Sequence, residues 1–553
     1  MQKNQKIPFL RIGLGILFFI LILGPILILL SRAVYSNGQL NLTQSFTVLL
    51  DSENVNTIAN SLLLGFLVVV VSTILAFPIA FLLAKTEFSK HRWLDIILMV
   101  PFMTPPYIAS MGWILFMQKR GLLQQLIPQI TGSHRWFFSL AGLVIVMTFS
   151  NFPFMVNMMR EALSNVPHSL EESAAVFGAP LHQRIKKILF PLIRANYAIA
   201  ALLIFVRTIS EYGAPATIGA RFGFEVFTTS IHRNATVAPV SFENASILSI
   251  LLMVICFLVW WVQSKITRKS QYNLVGSRSN RTGTMKLSLI KKLFSWIYLL
   301  IIFLVSIGIP YFSVIMTSLI KRRGRGLQSG NFTMDHYIHL FTDNQRALNA
   351  LGNSFVLATV SACLCVLIGT LLVTVIRKKE KRMDYILEFT ALIPQMLPGI
   401  VIVLGLMIFW NTVYQTLPVY NTMGMLLITY VALFIPYTIN YVNSAYNQIG
   451  ENIVEAGKIY GASTLQIFIR IHLPLLARSI ILAWMMSFII GLRELVGSSM
   501  VSPPGQYVIS TFIMRESEQG SVSIGMAMAT ITVVLTILIL LVLYQLIHRL
   551  KNE

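Results

Sequence analysis

The sequence predicts an all-α polytopic membrane protein of about twelve membrane-spanning helices, arranged as two homologous six-helix halves with parallel pseudo-two-fold symmetry. Three observations carry this expectation. The 553 residues are 56% hydrophobic and only 12% charged, with a mean hydropathy of +0.73, too little charge to cover a soluble chain of this length. The apolar residues fall in runs long enough to cross a bilayer, which takes about 20 residues per helix. Landmark residues of the first half also return in the second half, in the same order.

Twelve spans are expected, near 9–31, 58–84, 94–117, 139–163, 195–212, 243–266, 293–319, 352–376, 386–410, 421–445, 479–500 and 522–547. Pro25, Pro101, Pro105, Pro310, Pro394 and Pro398 fall inside them; membrane helices tolerate proline where neighbouring helices satisfy the freed backbone. The first run follows Lys3, Lys6 and Arg11, as a signal peptide would, but Ile12–Leu30 is long for a signal sequence and reads as a retained anchor. An even number of spans puts both termini on one side. The net charge is +22, and the basic residues gather in short loops, above all 265–292 and Arg377–Arg382. The positive-inside rule places those loops and both termini in the cytoplasm. Lys321, Arg322, Arg323 and Arg325 dissent, because this topology puts them outside. Such a charge on a soluble chain would suggest nucleic acid. Here the cations lie between apolar runs with no aromatic-basic motif, and no nucleic-acid partner is expected. Cys256, Cys363 and Cys365 lie within apolar runs, lack the spacing of a zinc or redox site, and read as small buried hydrophobes.

The repeat is specific. Asn60-Ser61 and Asn353-Ser354 open matching spans, and Pro101 and Pro105 of VPFMTPP recur at the same offset as Pro394 and Pro398 of IPQMLPG. The offset then shortens. Beyond it, Pro153 and Asn157 match Pro436 and Asn440, and Glu211 of ISEYG matches Glu494 of LRELVG. The length change falls near 118–138, a loop expected outside, where insertions are tolerated. The chain divides into a first half, 1–270, a polar cytoplasmic linker, 271–290, and a second half, 291–553. Parallel repeats leave a pathway between the halves.

Between spans four and five lies LEESAAVFGAPLHQRIKKILFPLIR, and between ten and eleven IVEAGKIYGASTLQIFIRIHLPLLAR. Each holds a Glu, a Gly and a Pro at identical spacing: Glu172, Gly178 and Pro191, then Glu455, Gly461 and Pro474. Small residues after the Glu, Ala174 and Ala456 among them, let a short helix lie close to a partner surface. Gly178 and Gly461 suit a left-handed helix end. Pro180 in one copy, and Ser463 or Thr464 in the other, suit the start of a second helix. Its apolar face carries Ile185, Ile188 and Leu189, or Leu465, Phe468 and Ile471. Pro191 and Pro474 are expected to mark the return into the membrane. On the residues alone, an amphipathic interfacial loop is the alternative.

These loops, 170–192 and 453–475, resemble the EAA loops of permeases of binding-protein-dependent ABC importers. The triplets read Glu-Ser-Ala and Glu-Ala-Gly, departing from the plain consensus only by small residues. The resemblance implies that each loop is a coupling helix docked on a cytoplasmic ATPase subunit, so that two loops engage an ATPase dimer. ATP-driven closure would draw the loops together and turn the pathway from inward- to outward-facing. It further implies an external substrate-binding protein, contact with membrane lipid, and ATP and Mg bound by the partner, with no cofactor, metal or catalytic residue in this chain. In agreement, there is no G-x-x-x-x-G-K-[ST], G-x-S-x-G or H-E-x-x-H; Gly457-Lys458 lacks the upstream Gly and is followed by Ile459. The fused arrangement looks most like the iron(III) permeases of bacterial inner membranes. Relatives of that architecture carry thiamine or phosphonates, and separate-subunit cousins carry polyamines. An ion-driven secondary transporter is the rival class, but it should use ionisable residues at the bilayer midplane.

A charge inside a span costs roughly 2.5–3.5 kcal/mol on insertion scales. Glu211 and Glu494 stand near the outer ends of spans five and eleven, with Arg207, Tyr212 and Arg493 close by. Glu211, Tyr212, Arg493 and Glu494 are therefore candidate pathway or gate residues, with structural ion pairing as the alternative. Asn151, Asn157, Asn440 and Asn443 are read either as lining a path or as interhelical hydrogen bonders.

Overall fold

The computed structural model describes residues 6–36, 39–40, 42–91, 93–271, 285–376 and 382–552. Most of the linker 271–290 and residues 377–381 of the basic loop lie outside them. Ten of the described helices are long and apolar enough to cross a membrane, and two bent helix pairs bring the number to twelve when each pair counts as one span. Apart from a ribbon of two residues per strand, Tyr35–Ser36 with Gln39–Leu40, the regular structure among the described residues is helical.

The prolines explain where the helices depart from the expected spans. The spans expected at 94–117 and 386–410 are each two helices. Trp93–Met103 turns by 88° into Pro106–Leu126, and Arg382–Met396 by 113° into Gly399–Thr412. Pro105 and Pro398 sit at the bends in extended conformation, φ −55° and −58°, each capping the following helix. Other prolines do not break the helix. The turns Phe19–Leu23, Ile185–Leu189, Leu304–Gly308 and Phe468–His472 are π-helical and lead into Pro25, Pro191, Pro310 and Pro474. In each, the residue just before the proline donates its N–H five residues back. The widened turn absorbs the missing N–H and the ring. Pro191 and Pro474 therefore lie within continuous helix, and the membrane-crossing helix begins at Leu181, ahead of the expected 195.

Packing divides the chain into two units. One comprises Met1–Val48, Ile231–Met253 and Met334–Glu553; the other comprises Leu49–Ser230 and Val254–Thr333. The sequence repeat and the packing unit are thus different divisions, because the first span of each repeat packs with the other repeat. In one unit Gly24–Val34 lies on Gly399–Thr412, and in the other Ile309–Leu319 lies on Pro106–Met117. Both contacts need a glycine. A Cβ on Gly405 would stand 2.9 Å from the Pro25 carbonyl oxygen, and one on Gly112 2.6 Å from that of Pro310. Each exchanged helix is also tied at its basic end: Arg11 Nε to the buried Asp384 at 2.8 Å, and Lys292 Nζ to Glu87 at 3.3 Å, where Trp296 stacks on Trp93. Cys256 and Cys365 are buried, but Cys363 is exposed and accepts a hydrogen bond from Trp484 Nε1 at 3.2 Å.

Candidate functional site

The two loops form matching helical hairpins. His168–Val176 ends at Gly178, φ +78°, and Glu451–Ile459 ends at Gly461, φ +77°. The same bond closes both ends: Ala179 N–H donates to Ala174 O at 2.9 Å, and Ala462 N–H to Gly457 O at 3.0 Å. Only a residue at ease with positive φ fits between these partners. The second helix then starts differently in each copy. Pro180 O accepts from Gln183 and Arg184, whereas Ser463 and Gln466 form a capping box, with Ser463 Oγ accepting at 3.3 Å and Gln466 Oε1 at 2.8 Å.

What the hairpins show to the outside was missed in the sequence. Val176 and Phe177 are 85% and 90% exposed, and Ile459 and Tyr460 are 83% and 90% exposed. A bulky apolar pair directly before the glycine in both copies was the available signal. Glu172 is exposed and pairs with His168 Nδ1 at 3.0 Å; Glu455, Ala456, Pro191 and Pro474 are exposed, and Ala174 is half-buried. Ala174 aligns with Gly457, where a Cβ would stand 2.9 Å from Ile471 Cδ1. At this position a small residue lets the hairpin close on itself.

The inward faces differ. Glu171, one residue before the expected Glu172, is buried; its Oε1 lies 2.6 Å from Lys85 Nζ, which also donates to Val166 O at 3.0 Å. Both side chains are 5% exposed. In the second hairpin the aligned residue is the buried Val454. There the hairpin is held instead by Tyr446 on His472, with OH to Nε2 at 3.3 Å and ring centroids 5.0 Å apart. The aligned residues of the first copy are the buried Leu163 and Leu189.

The Lys85 helix, Ser52–Lys85, is 34 residues long. Near its other end Asn60 Nδ2 donates to Glu225 O at 3.1 Å, and Ser61 Oγ accepts from Phe227 N–H at 2.8 Å. The second repeat does the same from Gln345–Val375: Asn353 Nδ2 to Tyr507 O at 3.0 Å, and Ser354 Oγ from Ile509 N–H at 2.7 Å. The paired acids belong to these clusters. Glu211 Oε1 accepts from Gly213 N–H at 2.9 Å and its carbonyl from Thr228 Oγ1 at 2.7 Å; Glu494 Oε1 accepts from Gly497 N–H at 3.0 Å and its carbonyl from Ser510 Oγ at 2.5 Å. A carboxylate at a helix start satisfies orphan N–H groups and suits the dipole. Tyr212 is buried beside Glu211, Arg493 is half-buried beside Glu494, and Arg207 lies 4.6 Å over the Phe102 ring. Asn151 donates to Met147 O at 3.0 Å within its own helix, while Asn440 bridges to Gln395 Oε1 at 2.7 Å. Among the described residues no group of three or more His, Cys, Asp or Glu is placed to hold a metal ion.

The same duplicated pattern matches a known family. The model of the binding-protein-dependent transport system inner membrane component fits residues 76–272 and again 351–552. The chain is 24% identical over 533 residues to the ferric transport system permease protein FbpB of Actinobacillus pleuropneumoniae, covering 95% of this chain and 76% of that protein. It is 24% identical over 501 residues to the putative ferric transport system permease protein FbpB 1 of Haemophilus influenzae, covering 88% of this chain and 77% of that one. The sulfate transport system permease protein CysT of Salmonella typhimurium is 24% identical over 266 residues, 47% of this chain and 94% of its own length. With ten to twelve apolar spans and the family's signature fitted twice, the chain is a fused two-half permease and belongs to the binding-protein-dependent transport system inner membrane components.

Proposed function

We propose that this chain is the membrane permease of an ATP-driven importer for iron(III), with both termini and both hairpins in the cytoplasm. It is non-catalytic: separate ATPase subunits bind ATP and Mg, and each of two subunits receives one hairpin. A binding protein delivers the cargo from outside, and the path runs between the halves. The observation that carries this reading is the outward apolar pair repeated in register, Val176–Phe177 and Ile459–Tyr460. Two copies of one partner need the same surface presented twice, and aromatic residues are frequent anchors of such interfaces.

The transmission runs along the long helices. Ser52–Lys85 spans about 50 Å at 1.5 Å per residue. Glu171 grips its inner end through Lys85, and Asn60 and Ser61 grip the backbone at Glu225 and Phe227 near its outer end. A hairpin drawn inward by ATPase closure therefore pulls on the outer cluster that Glu211 caps. Glu211, Tyr212, Arg493 and Glu494 act in this reading as the frame of an external gate, with the carboxylates committed to backbone N–H groups.

Iron is favoured because the ferric permeases match nearly the whole chain, whereas the sulfate relative matches about half of it. Sulfate is the second reading on that ground; thiamine, phosphonate and polyamine rest on architecture alone. The test is uptake into vesicles holding the chain with its ATPase and supplied with the binding protein, comparing radiolabelled ferric iron with sulfate. ATP-dependent iron uptake is expected. Sulfate uptake would overturn the substrate, and uptake that follows the membrane potential without ATP would overturn the class. Phe177→Ala with Tyr460→Ala should abolish ATPase association while the chain still folds, and unchanged association would sink the docking role.

A further inference from the structure

Two loops of one packing unit carry charge that neither membrane insertion nor internal pairing explains. Residues 118–138 and 320–333 hold seven Lys and Arg and no Asp or Glu. Among the described residues none of the seven has a carboxylate within salt-bridge distance. The loops lie at the far end of the unit from its docking hairpin. Leu140–Ser164, which joins the one to the other, is 25 residues long, about 37 Å at 1.5 Å per residue. With the hairpins inside, this is an external cluster, opposed to the positive-inside bias.

The backbone of the loops that carry the cations is held in place. Buried Asn331 accepts from Arg322 N–H at 2.9 Å and donates to Arg322 O at 2.9 Å and Gly326 O at 2.7 Å. Gln125 joins the two loops: its Oε1 accepts from Leu327 N–H at 3.0 Å, and its Nε2 donates to Arg120 O at 2.9 Å. Lys119, Arg120, Gln125 and Arg323 border a cavity of about 250 Å³. The corresponding loops of the other unit, 35–48 and 411–422, contain no Lys, Arg, Asp or Glu at all.

We propose that this cationic corner is the recognition surface for an acidic face of the external binding protein, and that its restriction to one packing unit fixes which end of that partner meets which unit. A partner that spans a duplicated chain meets the same landmarks twice, so orientation must come from what the two units do not share. An anionic lipid headgroup meets both units alike and gives no reason for charge on one alone. Complementary charge mainly raises the association rate and excludes wrong poses. The inference rests on the importer reading for the side on which the corner lies.

The test uses the full chain in phosphatidylcholine nanodiscs, titrated with the ferric-loaded binding protein of the same cell. The wild type should bind, and binding should weaken at least tenfold between about 50 and 200 mM salt, where screening shortens. Arg120→Glu with Arg323→Glu and Arg325→Glu should weaken it at least tenfold, mostly through the association rate, with the melting temperature unchanged. A photocrosslinker at Gly324 should label one end of the partner only. Equal binding by variant and wild type, or labelling of both ends, overturns the corner and leaves the importer reading standing. Variant binding that drops only when phosphatidylglycerol is added assigns the corner to lipid. A wild type that binds no ferric-loaded protein overturns the iron(III) reading and, with it, the partner proposed for the corner.

Discussion

The two hairpins share their outward surface and differ in what holds them from within. Both turn at a left-handed glycine, both close with the same backbone bond, and both push a bulky apolar pair outward. Inside, the first rests on the ionic pair Lys85–Glu171 beside apolar Leu163 and Leu189, and the second on apolar Val454 beside the polar pair Tyr446–His472. Polar and apolar anchors have traded places between the copies. An inward contact needs only its own complement, so any self-consistent pair serves. An outward contact that, as proposed, two identical ATPase subunits read has no such freedom.

The largest effect should come from splitting the ionic anchor. Removing one partner of a buried pair leaves an uncompensated charge and costs about 3–5 kcal/mol, whereas replacing both by apolar residues is often neutral. Lys85→Met or Glu171→Leu alone should strongly lower the unfolding free energy of the solubilised chain, and the double variant should recover most of the loss. Val454→Ala in the second hairpin should cost less than either single change. A Lys85→Met variant as stable as the wild type would break the comparison, because the ion pair would then hold nothing. The outward faces should behave oppositely. Phe177→Ala and Tyr460→Ala should each weaken ATPase association by about 2 kcal/mol, the scale of an interface hot spot, with stability unchanged. A large difference between the two would mean that the partners do not read the copies alike.

The turns come next. Nothing among the described residues lies within 4 Å of a Cβ at Gly178 or Gly461, so Gly→Ala there adds no clash and tests backbone strain alone. A left-handed non-glycine residue costs roughly 1–2 kcal/mol. The two substitutions should therefore match in thermal unfolding, since φ is +78° and +77°. Unequal losses would show that the inward anchors couple into the turns.

Much of this was legible in the sequence, and what was not has a physical pattern. The spans and the repeat follow from hydropathy and spacing, which are local. The hairpin turn was legible because positive φ singles out glycine. The bends at Pro105 and Pro398 and the unbroken helices through Pro191 and Pro474 were not, because the same residue bends or widens a helix according to what packs beside it. The exchange of first spans depends on Gly112 meeting Pro310 and Gly405 meeting Pro25, contacts distant in sequence. Spacing drew attention to Glu172, but burial falls on Glu171, and only alignment with apolar Val454 reveals which acid faces inward. Glu211 and Glu494 drew notice as charges in spans; each accepts from a backbone N–H group, which no side-chain pattern announces.

The smallest effect sharpens the comparison most finely. Tyr446→Phe removes the hydroxyl that faces His472 Nε2 and keeps the ring 5.0 Å from the imidazole. The net worth of such a hydrogen bond is about 0.5–1.5 kcal/mol. The loss should appear in the stability of the second hairpin, read by amide hydrogen exchange at 464–476, and leave 168–193 untouched. His472→Leu in the same background should then cost little more, because the pair would already be converted to the apolar form that Leu163 and Leu189 take in the first copy. If His472→Leu alone is as costly as splitting Lys85 from Glu171, the second anchor is ionic in strength, and the trade of polar for apolar between the copies is one of position only.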